Sequence, residues 1–148
     1  MGLLTYREIT PVDAGELAPL FVETFNAPPH NGKWTVERAS QRLYDVICRE
    51  CVSGLMASLD GEICAMILGS AEITFDGRSF EVRELCVDVR HRGLGIDVAL
   101  IQEMEKRLRK EGFSRIKMYL PTASDETFAE KAGFEPCGSM QLLRKALK

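Results

Sequence analysis

Between residues 87 and 99 the chain reads Val-Asp-Val-Arg-His-Arg-Gly-Leu-Gly-Ile-Asp-Val-Ala, and these residue types suit the binding of an anion. An apolar, β-rich run (Leu85, Val87, Val89) leads into a basic turn, and Ile96, Ala99, Leu100, Met104 and Leu108 leave it at helical spacing. A helix begins with backbone N–H groups that have no intrahelical partner. Its dipole adds partial positive charge there, so phosphate binds well. Gly93 and Gly95 remove side chains that would block a close approach, while Arg90, His91 and Arg92 add cationic or donor groups. The chemistry implied is a cradle for a phosphate or pyrophosphate.

Two other phosphate-binding patterns are absent. No GxxxxGK[ST] run supplies the lysine and hydroxyl of a nucleoside triphosphate loop, and Val98 stands where a dinucleotide-binding GxGxxG turn needs its third small residue. A net charge of −3 argues against nucleic acid as a bulk electrostatic partner. No apolar run approaches the roughly 18 residues that span a bilayer, and no basic stretch followed by an apolar one marks the N-terminus. The expectation is a cytoplasmic protein without a membrane partner. Five cysteines (Cys48, Cys51, Cys64, Cys86, Cys137) are odd in number and lack metal-ligand spacing. Only Cys48 and Cys51 form a CxxC-like pair, within a helical pattern. They read as reduced structural thiols, with an adventitious redox or metal role as the alternative.

The elements that must position the turn follow from the pattern of the whole chain, whose 148 residues suit one domain, 1–148, with a single core. Residues 3–9 predict a strand, residues 10–13 a turn and an N-cap, and Leu17, Leu20, Phe21 and Phe25 one face of a helix. Pro28, Pro29 and Gly32 make residues 26–33 a loop. Thr35 caps a second helix with Ala39, Leu43, Val46 and Ile47 inward, ending near Cys51. Residues 54–59, 62–73 and 79–89 predict three antiparallel strands joined at Asp60-Gly61 and Asp76-Gly77. The helix after the turn runs from about Ile96 to Lys110, and a strand over 115–120 returns parallel to its predecessor. A short helix over 126–132 stops at Gly133, and residues 135–147 add one or two strands.

This order, together with two motifs, resembles the GNAT superfamily of N-acetyltransferases over essentially the whole chain. Its acetyl-CoA motif, V-x-P-x-x-(Q/R)-x-x-G-x-(G/A) followed by Ala-Leu-Leu, is matched in spacing by Val87, Arg92, Gly95 and Ala99-Leu100-Ile101. The sequence departs from it in Val89, in place of proline, and Asp97, in place of the final small residue. A second register uses Arg90, Gly93 and Gly95. Phe128-Ala129-Glu130-Lys131-Ala132-Gly133-Phe134 is similar to the family's Φ-Y-E-K-x-G-F segment, with Ala129 where many relatives carry a tyrosine that protonates the leaving thiolate. That thiol has an ordinary pKa of about 8.5 and needs little help at neutral pH; water or Tyr119 could serve.

The resemblance implies an α/β GNAT (acyl-CoA N-acyltransferase) fold: a mixed, mostly antiparallel sheet flanked by about four helices. It implies acetyl-CoA as co-substrate, no metal, and direct transfer of acetyl to a primary amine of a small molecule or protein. It also implies that the backbone of Leu85, Cys86 and Val87 holds pantetheine and thioester, one N–H serving as an oxyanion donor. The turn Arg92, Gly93, Leu94, Gly95, Ile96, Asp97 and Val98 takes the pyrophosphate, and Phe128 and Lys131 lie on the cofactor side. Presenting an alkyl amine of pKa about 10.4 in neutral form at pH 7 costs about 4 to 5 kcal/mol, so a carboxylate base is needed. Glu84 and Glu81 are the candidates; in a regular strand they face opposite sides, so only one faces substrate. In this fold the 26–34 loop overhangs the acceptor side, so His30 and Trp34 are candidate acceptor residues, Trp34 equally a packing residue. A non-catalytic CoA-binding or regulatory module of the same fold, and an acyl group longer than acetyl, remain open readings. Dimerisation through the C-terminal strands or the sheet edge is common among such relatives, though no residue here demands it.

Overall fold

The structure, a computed structural model, describes residues 2–120 and 127–147, so the turn expected over 121–125 and the first residue of the last helix lie outside the described residues. Among the described residues five strands form one sheet in chain order: β1 (Leu4–Glu8), β2 (Val52–Leu59), β3 (Glu62–Thr74), β4 (Gly77–Val87) and β5 (Arg115–Lys117). The first four pair antiparallel, while β5 pairs parallel with β4. Helices α1 (Ala14–Asn26) and α2 (Val36–Ile47) precede β2, α3 (Ile96–Lys110) joins β4 to β5, and α4 (Thr127–Lys131) follows. This is the mixed, mostly antiparallel α/β arrangement expected. No helix among the described residues is long and apolar enough to cross a membrane.

Each helix buries the stripe its sequence dictates. In α2, Ala39, Leu43, Val46 and Ile47 are inward, and the Thr35 hydroxyl accepts the Arg38 N–H at 3.2 Å, which starts the helix as expected. The helix ends at Ile47, short of Cys51. Helices α1 and α2 cover one face of the sheet, meeting Met56, Met66, Leu68 and Cys86. Helix α3 covers the other with Ile96, Leu100, Ile101, Met104 and Leu108, against Leu55, Ala57, Ala65, Ile67, Phe80 and Val82.

Strand β4 changes faces partway along. Leu68 pairs with Glu84 but the next residue, Gly69, pairs with Val82, so Arg83 is an extra residue, a β-bulge. Before it, Phe80 and Val82 point to α3; after it, Cys86 points to α1 and α2 while Leu85 and Val87 pack on the α3 side. The bulge corrects one expectation. Glu81 pairs with Ser70 and Glu84 with Leu68, residues two apart on β3, so both carboxylates share the α1/α2 face.

The C-terminal end departs further. The parallel strand stops at Lys117 and not at 120, and no strand is formed among residues 135–147. Pro136 and Gly138 interrupt that stretch, and Met140, Leu142, Leu143 and Leu147 are exposed, so no inward face is available to hold it to a sheet.

A methyl group at Gly69 would sit 2.3 Å from the Phe80 ring and 2.6 Å from the Glu81 carbonyl oxygen, too close for either. Gly69→Ala is expected to lower stability by about 1 to 3 kcal/mol, the range for overpacking a core. Urea unfolding monitored by circular dichroism measures it; an unchanged midpoint would show that Phe80 yields freely.

Candidate active site

Where β4 outruns β5, the sheet opens. Pairing between them covers only Ser79–Glu81 with Arg115–Lys117, so the β4 edge beyond Glu81 has no strand beside it among the described residues. A cleft of about 430 Å³ occupies the opening, floored by Leu85 and Val87 and walled by the turn after β4, by α4 and by the α1–α2 loop. Arg92, Gly93, Gly95, Ile96, Asp97 and Val98 all line it, as do Phe128 and Lys131 from α4 and His30 from the loop. Most of the residues singled out from the sequence thus converge. Leu94 does not: it stands half-exposed at the tip of the turn.

The turn has the geometry of an anion cradle. Gly93 and Gly95 sit at φ of +81° and +80°, a left-handed region that favours glycine, and nothing lies within 4 Å of where a Cβ would be. Gly95 is the N-cap of α3, so the helix's free N–H groups open toward the cleft. The two arginines divide the work. Arg90 turns back onto Asp88, its Nη2 2.7 Å from Oδ2, whereas Arg92 lines the cleft, which favours the register built on Arg92. Arg92 donates from Nη1 to the Pro28 carbonyl at 3.1 Å and from Nη2 to that of Thr24 at 3.5 Å, tying the turn to the α1–α2 loop. Asp97 works against the cradle. Its Oδ1 accepts the Val98 N–H at 2.8 Å, occupying one of the amides the helix start offers and adding negative charge beside them.

Across β4 lies a second constellation. Glu84 is 4% exposed beneath α2, and Arg42 holds it with Nε at 2.7 Å and Nη2 at 2.6 Å. Both contacts fall on Oε1. Oε2 takes part in neither. Burial pushes the Glu84 carboxyl above the usual carboxylate range, against the opposing pull of Arg42. The Arg42 guanidinium in turn lies over the Trp34 ring, 5.7 Å from its centre. Glu81 is less enclosed, and Arg83 Nη2 lies 3.8 Å from its Oε2.

Trp34 does not line the cleft. It packs edge-on against Phe21 at 4.8 Å, and the Asn26 side chain clamps its backbone, accepting from its N–H at 2.8 Å and donating to its carbonyl at 2.9 Å. His30 stands edge-on to Phe25 at 4.7 Å, and burial, with Arg92 nearby, lowers its pKa from the ordinary histidine value. Cys86 points away from the cleft and is fully buried; burial pushes its thiol far up, which removes it as a nucleophile. Tyr119 is exposed and lies outside the cleft lining. His91, read from the sequence as part of the basic turn, lines it too; residues not anticipated as lining are Thr24, Pro29, Leu120 and Thr127. His91 had a signal in its place between two turn arginines; Thr24 had none, because α1 and β4 are far apart in sequence. No group of three or more His, Cys, Asp or Glu side chains able to hold a metal occurs among the described residues.

Comparison with known proteins adds to this geometry. In structure the chain is similar to an aminoglycoside acetyltransferase from an uncultured soil metagenomic sample, solved in complex with sisomicin, at 16% identity over 98% of this chain and 97% of that one, with a TM-score of 0.76. It is similar to a ribosomal-protein-alanine N-acetyltransferase from Brucella melitensis biovar Abortus 2308, at 18% identity over 97% and 100% of the two chains, TM-score 0.75. A possible acetyltransferase from Clostridium difficile 630 matches at 14% identity over 98% and 99%, TM-score 0.79. Identities this low establish likeness of fold. The sequence pattern of the acetyltransferase (GNAT) family, however, matches residues 16–134, from α1 through the β4 turn to the Gly133-Phe134 stop, and the chain therefore belongs to that family.

Proposed function

We propose that this protein is an N-acetyltransferase that moves an acetyl group from acetyl-CoA to a primary amine of a small molecule or a protein substrate. The observation that carries the reading is the position of β4 between two unlike surroundings. Its edge at Leu85 and Val87 meets an anion cradle, while Glu84, one residue along, offers a carboxylate on the other face. The cleft fits the ligand in its open glycines, helix start, Arg92 and Lys131, and fits it less well in Asp97. Backbone of Leu85 to Val87 holds pantetheine and thioester. The amine attacks the thioester carbonyl carbon, the C–S bond breaks, CoA leaves as its thiolate, and Glu84 Oε2 takes the proton from the amine.

The division of Glu84 suits a base. Arg42 fixes Oε1 and favours the ionised form, burial favours the neutral one, and Oε2 is left to accept. An acceptor that is either a small molecule or a protein is in keeping with fold relatives named as an aminoglycoside acetyltransferase and a ribosomal-protein-alanine N-acetyltransferase. A second reading, a module that binds CoA without transfer, draws on Ala129, which has no hydroxyl to protonate the leaving thiolate.

Calorimetric titration with acetyl-CoA, using dephospho-CoA and pantetheine as controls, tests the reading. Saturable binding that weakens as phosphates are lost is expected, and no binding at millimolar ligand would defeat it. Binding with no turnover across a panel of amines would favour the second reading. Asp97→Asn removes charge near the phosphates and is expected to tighten acetyl-CoA about two- to fivefold, corresponding to roughly 0.3 to 1 kcal/mol at a helix terminus.

Glu84→Gln is expected to slow transfer to an alkyl amine about a hundredfold or more and to abolish the acid-side limb of the pH–rate profile. An intact limb would exclude Glu84 as base. Because Glu84 serves only when ionised, the rate falls as pH drops through its raised pKa. Arg42→Gln removes the cation that favours the carboxylate, so the limb moves to higher pH, while Arg42→Lys leaves it nearly in place.

A further inference from the structure

The β4 turn contains a histidine whose inner nitrogen has no partner. His91 follows Asp88 by three residues and lines the cleft with a side chain about one-quarter exposed. Its Nδ1 is fully enclosed and makes no hydrogen bond, and the Asp88 Oδ2 faces it at 3.7 Å. Asp88 is 3% exposed and accepts from the Arg90 backbone N–H at 2.9 Å and from the Arg90 guanidinium at 3.2 and 2.7 Å. Those bonds hold its carboxyl below the usual range, so it is an anion at neutral pH.

An enclosed lone pair on Nδ1, set against a carboxylate oxygen, has no compensation. A proton on Nδ1 gives that carboxylate a donor to face. The inner nitrogen is therefore the protonated one, which leaves Nε2 as the acceptor of a ring that lines the cleft. In the neutral ring Nε2 then presents a lone pair, the wrong polarity for an anion. We propose that His91 contacts the phosphate-bearing end of acetyl-CoA as imidazolium, so that binding draws a proton from solvent onto Nε2, with Asp88 as the counter-ion that supports it. This rests on the acetyl-CoA reading above.

The surrounding charges fit the assignment. Arg90 and Asp88 belong to the same turn, Arg92 and Asp97 follow, Lys131 approaches from α4 and His30 from the α1–α2 loop. The cations Arg92 and Lys131 disfavour a further positive charge in the cleft while it holds no anion, and an incoming phosphate reverses that balance. His30 is the other imidazole of the cleft. Burial and Arg92 both favour its neutral form, so it does not supply the same proton.

Acetyl-CoA is titrated calorimetrically at about pH 7.5 in two buffers of different ionisation enthalpy. The wild-type protein is expected to take up roughly half a proton or more per ligand bound, and its affinity to fall with rising pH through this range. In His91→Gln, and equally in His91→Asn, binding persists while uptake and pH slope are lost; in His30→Gln the uptake stays. Uptake absent in the wild type, or retained in both His91 variants, overturns the proposal while leaving the acetyl-CoA site standing. No binding of acetyl-CoA by the wild type takes down the site and the proposal together.

Discussion

Strand β4 has to serve two cores, and the bulge at Arg83 is how it does so. Upstream, Phe80 and Val82 fill the α3 side; downstream, Cys86 fills the α1/α2 side, and no regular two-residue alternation joins them. The extra residue rephases the strand at the depth where β5 parts from it. Without the bulge, Glu84 would project toward α3 and the cleft floor, and Leu85 and Val87 toward α2. With it, an apolar floor lies under the cleft while the carboxylate meets Arg42. The close stack of Phe80 on Gly69 sits immediately upstream, so the register is pinned just before it slips.

Much of this was legible in the chain. The stripe of α2 and its Thr35 cap, the hairpin at Asp60-Gly61, the basic turn and the start of α3 are all local signals, set by residues within a few positions of one another. The cleft membership of Arg92, Gly93, Gly95 and Asp97 followed from the turn itself. What escaped was non-local. A bulge is a choice between two registers made by packing on both faces, and nothing in Glu81-Val82-Arg83-Glu84 announces it. Thr24 enters the site because α1 crosses β4 there, its hydroxyl 3.4 Å from the Val87 carbonyl oxygen, and no spacing within either element reveals that. The C-terminal stretch misled in another way, since its apolar residues read as strand while Pro136, Gly138 and the end of β5 at Lys117 leave them without a partner.

Three carboxylates are buried among the described residues, Asp13 under Arg7 and two beside the candidate site. Glu84 with Arg42 and Asp88 with Arg90 each place a nearly inaccessible carboxylate under an arginine that remains about half or more exposed. Such pairs add little net stability, because desolvation offsets most of the attraction. Their effect is directional. Each fixes one orientation for a group that borders the cleft or the strand beneath it.

The bonds from Arg92 to the carbonyls of Pro28 and Thr24 tie the turn to the loop that carries His30. A guanidinium drawn toward an anion weakens its hold on those carbonyls, and the loop loses a restraint. Thermodynamic reciprocity then applies: whatever ligand settles the loop must alter anion affinity by the same factor that the anion alters its own. The protein thus carries, in one side chain, a coupling between the turn and the loop, and its size is set by how differently Arg92 is held in the two states.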